Sequence, residues 1–154
     1  MISAVVYADG QAIEYEDLTT ARTAAGTTWV HVTDVTADEV DAVSSAFDLH
    51  SLAIDDIKND VRANVQEFNA YTFVLVKSAS LTPGDTTFDK EVKTTPLGLF
   101  VGSDWVVTLS TGAVPSIQRV MDAVGRGDER LLHRGPDFTA YRVIDVIVDA
   151  YFDL

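Results

Sequence analysis

The spacing of apolar residues changes repeatedly along the chain, and each change predicts an element. In "SAVVYADGQAIEY" two apolar runs flank Asp9-Gly10, a favoured two-residue turn, so the stretch predicts a β-hairpin. A short polar helix is expected from about Leu18 to Ala25, stopped by Gly26, and "TWVHV" (Thr28–Val32) has strand composition. Thr36 and Glu39 stand at capping-box spacing. Val40, Val43 and Phe47 follow with helical period and predict an amphipathic helix. Leu49, Ile54, Ile57 and Val61 fall roughly on one side of a second short helix. "NVQEF" reads as a strand. "YTFVLVKSASL" (Tyr71–Leu81) is apolar on both faces and is expected to be a central strand. "VKTTPLGLFVG" and "DWVVTLS" predict two more strands joined at Gly102-Ser103, with Trp29 and Trp105 in the core.

Pro115 opens a further helix with Ile117, Val120, Met121 and Val124 inward and Gly125 as its stop. "GRGDERLLHRG" is a polar connector, its Arg126-Gly127-Asp128 read as turn chemistry. A last helix runs from near Pro136 to Leu154. It ends in full apolar stride, without Gly, Pro or a basic turn, as expected of a chain cut inside a longer helix. The order of elements predicts an α/β fold: a three-layer α/β/α sandwich with a mixed central β-sheet, ending in the start of a long helix. Residues 1–154 are read as a single domain.

Composition narrows the class. No cysteine is present, so disulfides and thiolate metal sites are excluded. No signal peptide is visible, and no apolar run reaches the roughly 18 residues of a membrane helix, so the chain is expected to be soluble. The formal charge of −13 argues against nucleic acid and anionic lipid as direct partners. Adaptation to a salty, halophilic cytoplasm accounts for most of that charge, and cation handling is the second reading.

Candidate chemistry is carboxylate chemistry. Asp55 and Asp56 are adjacent, with Asp60 a turn later; Asp145, Asp149 and Asp153 lie at i, i+4, i+8 on the last helix. Helix neighbours point about 100° apart, so Asp55 and Asp56 chelate poorly as a pair and suit ions held between surfaces. Carboxylates without cysteine fit Mg²⁺ better than Zn²⁺. The simpler reading of either cluster is a solvated face on an acidic protein. Nucleotide-binding and nucleophile-elbow motifs are missing, and His31, His50 and His133 stand at no metal-ligand spacing, so no catalytic residue is assigned.

"LHSLAIDDIKNDVRANVQEFNAYTFVLVK" resembles the central segment of the CorA family of magnesium and cobalt channels, in which His-Pro-Leu leads into an acidic pair and a Tyr-x-Phe strand follows. "YRVIDVIVDAYFDL" is similar to that family's Ile-Asp-x-x-Val-Asp-x-Tyr-Phe helix, and "TTWVHVTDVT" and "LGLFVGSDWVVTL" to its flanking strands. The resemblance covers nearly the whole chain, in order. It implies the cytoplasmic regulatory domain of a homopentameric membrane channel, truncated before the stalk and transmembrane helices, without direct membrane contact of its own. It further implies Mg²⁺, or Co²⁺, between neighbouring subunits at Asp55, Asp56 and Asp145, with Asp149 as an additional acid. Ser51 and Ala63 replace two prolines of the family pattern, and Asp55 stands where members can carry the longer Glu. The alternatives are the soluble domain of a related zinc transporter, a free-standing Mg²⁺-dependent phosphohydrolase using Asp55, Asp56 and Asp145, and an acidic interaction module.

Overall fold

A computed structural model describes residues 2–8, 11–15, 17–23, 25–34, 38–83, 90–125 and 135–152. Seven strands, β1 (Ile2–Ala8), β2 (Gln11–Tyr15), β3 (Thr27–Val32), β4 (Asn64–Glu67), β5 (Thr72–Pro83), β6 (Lys90–Val101) and β7 (Trp105–Ser110), form one sheet in the order β2-β1-β3-β7-β6-β5-β4. The helices are α1 (Leu18–Thr23), α2 (Glu39–Phe47), α3 (Ser51–Lys58), α4 (Pro115–Gly125) and α5 (Pro136–Phe152). All strand pairs are antiparallel except β3 with β7, so the sheet is mixed, as expected.

The two faces carry separate cores. On the first, Val30, Val32, Phe73, Phe100 and Val107 pack against α1, α2 and α3 through residues such as Ala21, Val43, Phe47 and Ile57. On the second, Val5, Trp29, Leu97, Leu99 and Val106 pack against α4 and α5 through Ile117, Met121, Val143 and Ile147. Strand alternation sends successive side chains to opposite faces, and with helices on both faces nearly every position of β3 and β7 is buried, the polar Thr28, His31, Thr108 and Ser110 included. The expected three layers follow directly.

One strand is placed differently from expectation. β5 is not at the centre; it lies one strand in from the edge, beside the four-residue β4, while β3 and β7 hold the middle. Being apolar on both faces records coverage by helices on both sides, and this sheet is covered that far out. Beyond β4 and β7, β5 and β6 continue as a two-stranded arm, paired through Pro83 and Lys90. Pro96 is tolerated in β6 because pairing to β7 begins only at Leu97.

The first two strands pair as the sequence pattern predicts, Ala8 with Gln11, although the Asp9-Gly10 turn lies outside the described residues. Thr36, the Arg126–Asp128 turn, His133 and Asp153 also lie outside them. At the N-terminus of α2, Asp38 occupies the capping position with no side-chain cap bond.

Candidate functional site: the acidic helix α3 and its surroundings

The first turn of α3 is set by His50. Its Nδ1 accepts the Leu52 amide at 3.1 Å, and its own backbone N–H donates to the Tyr71 hydroxyl at 2.8 Å. A side-chain acceptor thus satisfies one of the helix's free N-terminal amides, that of Leu52. Tyr71 is fixed in turn by a stack on Phe68 (centroids 4.9 Å apart) and tilted contacts with Phe100 and Trp105. Burial, the larger influence, raises the Tyr71 pKa above its ordinary value.

Ile54 and Ile57 anchor the middle of the helix in the first core. Ile57 sits directly on Gly98 of β6: a Cβ there would stand 2.3 Å from Ile57 Cδ1 and 2.9 Å from Phe73 Cε1. The glycine is what lets α3 approach the sheet. The end of the helix is closed by two reversed bonds, Val61 N–H to the Asp56 carbonyl (3.3 Å) and Asp60 N–H to the Ile57 carbonyl (3.3 Å). This is a Schellman closure, with Asp60 left-handed (φ 51°) where glycine is commonest and Val61 half-buried against the core. Lys77 of β5 forms an ion pair with the Asp60 carboxylate.

The outward side of this anchored helix carries the acids. Asp55 is exposed; Asp56 is half-buried and its Oδ2 accepts from Gln66 Nε2 at 3.1 Å. Gln66 also donates to Asn64 Oδ1 at 3.0 Å, so β4 holds the amide that orients Asp56. The two acids differ in surroundings as well as direction. One is free to face another surface, and the other has part of its acceptor capacity used within the chain.

Asp145 and Asp149 lie elsewhere. α5 packs on the second face, and α3 on the first, so the sheet separates Asp55 and Asp56 from Asp145 and Asp149. Asp145 Oδ2 accepts from Arg142 Nη1 at 2.6 Å, an i,i+3 ion pair at a partly exposed position; Asp149 is exposed. Among the described residues no three His, Cys, Asp or Glu side chains converge as a metal site. One chain therefore presents two acidic surfaces back to back rather than one coordination sphere.

Sequence reading did not find Gln66, Lys77, Arg142 or the His50–Tyr71 bond. Arg142 stands three residues before Asp145, a spacing that could have signalled the pair. The others depend on strand register and carry no local signal.

Among the described residues no helix is long and apolar enough to cross a membrane. The CorA-like Mg²⁺ transporter protein family model matches residues 24–154. A protein named as a metal ion transporter in Schizosaccharomyces pombe is 28% identical over 144 residues, covering 93% of this chain and 22% of the relative. The cobalt/magnesium transport protein CorA of Thermotoga maritima is 26% identical over 132 residues, covering 82% of this chain and 36% of the relative. The chain thus spans well under half the length of these relatives. The soluble domain of CorA from Methanocaldococcus jannaschii superimposes with a TM-score of 0.71 at 16% identity, covering 99% of this chain and 58% of that one. The ZntB cytoplasmic domain of Vibrio parahaemolyticus gives 0.67 at 12% identity, covering 98% and 60%, and so shares the fold. With the family model matching everything from residue 24 onward, and the fold matching a CorA soluble domain, the chain belongs to the CorA-like Mg²⁺ transporter family.

Proposed function

We propose that the chain is the cytoplasmic Mg²⁺-sensing regulatory domain of a CorA-type divalent-cation channel. Asp55, Asp56 and Asp145 act as ligands shared between neighbouring subunits of a homopentamer, and Asp149 is an additional acid. The observation that carries this reading is the placement of the acids on opposite faces of one sheet. A ring of such domains brings the α3 surface of one subunit towards the α5 surface of the next, and each boundary then gathers carboxylates that a single chain keeps apart.

The physical consequence is a switch. Two carboxylates about 4 Å apart repel by roughly 4 kcal/mol at an effective dielectric constant of 20. A hard dication, Mg²⁺ or Co²⁺, supplies a charge that both can share and so reverses the sign of the interaction. Such a cation stabilises whichever arrangement closes the boundary, and its loss frees the subunits to separate, a population shift by differential binding. Gln66, by holding Asp56, limits how far that ligand must be ordered on binding. The family match, rather than the fold shared with the ZntB domain, favours Mg²⁺ over Zn²⁺. The family is one of transporters, and a transport role is favoured over phosphohydrolysis.

The test is protease protection of the full-length protein carrying this domain, titrated with MgCl₂ at fixed ionic strength. Asp56→Asn and Asp145→Asn each shift the protection midpoint to higher Mg²⁺, by roughly 1 kcal/mol or more as for a lost charged ligand. Their combination is non-additive if they serve one ion. Asp38→Asn, exposed at the start of α2, leaves the midpoint in place. Wild-type titration of Asp56→Asn would reduce the pair to surface charge. In the 154-residue chain alone, binding is weak, in the millimolar range of low-affinity carboxylate sites, because each chain supplies part of the ligand set.

A further inference from the structure

The first turn of α3 hangs on one ring nitrogen. The amides of Ala53 and Ile54 both reach the His50 carbonyl, at 3.1 and 3.4 Å. The Leu52 amide is met instead by the His50 side chain, at Nδ1. To accept that bond Nδ1 must carry a lone pair, so the neutral ring holds its proton on Nε2. The usual capping residues, Ser, Thr, Asp and Asn, accept in the same way throughout the neutral range. A histidine does not. It is the side chain whose ordinary charge change falls between pH 5 and 8, and in the imidazolium both nitrogens are donors. Protonation turns Nδ1 from acceptor to donor and sets it against the Leu52 N–H. It also places a positive charge at the positive end of the helix dipole. Both effects act against the first turn.

The surroundings leave His50 as the group that changes. The residue is exposed, so protons reach it freely. Its ring lies against Phe68, centroids 5.5 Å apart, and an aromatic neighbour tolerates a cation. The titratable groups about it are Tyr71, whose hydroxyl accepts the His50 amide, and Asp48 at the left-handed end of α2, whose charge acts on Tyr71. Burial keeps Tyr71 neutral, and carboxylates ordinarily titrate well below the range in which histidine does. On α3 itself the nearest charges are Asp55 and Asp56, beyond the first turn.

α3 has eight residues, about two turns, so one lost cap is felt along much of its length. Its middle stays seated through Ile54 and Ile57, and its far end through the closure at Asp60 and Val61. In an α-helix the amides of Asp55 and Asp56 bond to the carbonyls of Ser51 and Leu52. A frayed first turn therefore loosens the backbone that aims both acids. We propose that His50 is a proton-operated cap: its protonation frays the first turn of α3 and thereby weakens cation capture by Asp55 and Asp56. The first half stands on the geometry of the cap alone, and the second rests on the cation role proposed above for these acids.

Two measurements separate the halves. In the 154-residue chain, the Leu52 amide resonance is followed by proton–nitrogen NMR between about pH 7.5 and 6, in the wild type, His50→Asn and His50→Ala. Asn caps without titrating, and Ala does not cap at all. The wild-type resonance is expected to move, as pH falls, towards its position in His50→Ala, while that of His50→Asn stays in place. A wild-type resonance indifferent to pH, or one that moves equally in His50→Asn, would overturn the proposal. In the full-length protein, the Mg²⁺ midpoint for protease protection is compared at the same two pH values. Acidification should raise the wild-type midpoint by roughly twofold or more beyond the rise in His50→Asn. Protonation of the carboxylates and of His31 is common to both proteins and cancels in that ratio. An equal rise in the two would overturn the coupling to the acids. If Asp56→Asn leaves the midpoint unchanged at the higher pH, the cation role itself fails, and the Leu52 resonance still decides whether His50 is a proton-operated cap.

Discussion

His31 is a polar ring built into the second face of the sheet. It is 1% exposed, and its Nδ1 contacts Thr108 Oγ1 at 2.7 Å, the hydroxyl that also accepts from Trp29 Nε1 at 3.1 Å. Its Nε2 has no partner among the described residues. Burial pulls its pKa down from 6.5 to about 4, outweighing the opposing influence of the Thr108 contact. The folded protein therefore keeps His31 neutral while the unfolded chain takes up a proton as pH falls through 6.5. Above pH 6.5 the residue adds no pH dependence. Between 6.5 and 4 it removes stability at up to about 1.4 kcal/mol per pH unit, and below 4 the loss levels off. Urea unfolding at pH 7 and 5.5 should show the wild type losing about 1 kcal/mol more than His31→Phe. An equal loss in both would mean that the ring is protonated, or hydrated, in the folded state. The sequence shows His31 only at no metal-ligand spacing; its burial follows from strand register, which pairs β3 with β7 and sets the ring against Thr108.

At the scale of elements, the acidic pair depends on how closely α3 meets β6. Gly98→Ala places a methyl group against Ile57 and Phe73, both fully buried, and overpacking of this kind costs about 1–3 kcal/mol. Chemical denaturation should show that loss. Ile57→Ala, which clears the contact, should make the double variant less destabilised than the sum of the two single changes. Additivity would show that the helix shifts as a body and that Ile57 is not the point of contact. The elements themselves were largely legible. Val40, Val43 and Phe47 are buried on one face of α2, and Ile117, Met121 and Val124 on one face of α4, because a period of 3.6 has one structural reading. Order within the sheet was less so: β5 has the composition of a central strand but lies beside the edge. Asp55, Asp56 and Asp145 could be named from adjacency and motif, but their separation onto opposite faces could not. It is set by the long path from β3 through α2, α3 and the β4–β6 strands before β7 returns parallel to β3.

Over the whole molecule, charge is the dominant quantity. With 24 Asp and Glu against 11 Lys and Arg, the chain carries −13, an excess of carboxylates that remains however completely the cations pair, as Lys77 does with Asp60 and Arg142 with Asp145. The fold spreads the remainder over both helical layers: Asp41, Asp55 and Asp60 are exposed on one side of the sheet, Asp122, Asp137 and Asp149 on the other. Repulsion among such groups acts over a Debye length of about 10 Å at 0.1 M salt and about 3 Å at 1 M. The unfolded chain holds the same charges farther apart, so screening stabilises the folded state more. Thermal unfolding should therefore show a midpoint that rises by several degrees between low and about 1 M KCl, with most of the gain at the low end where the Debye length changes fastest. Replacing Asp41, Asp122 and Asp137 together by Asn should raise the low-salt midpoint and flatten the series. A midpoint that is level or falling with KCl in the wild type would mean that repulsion among these carboxylates does not limit the stability of the fold.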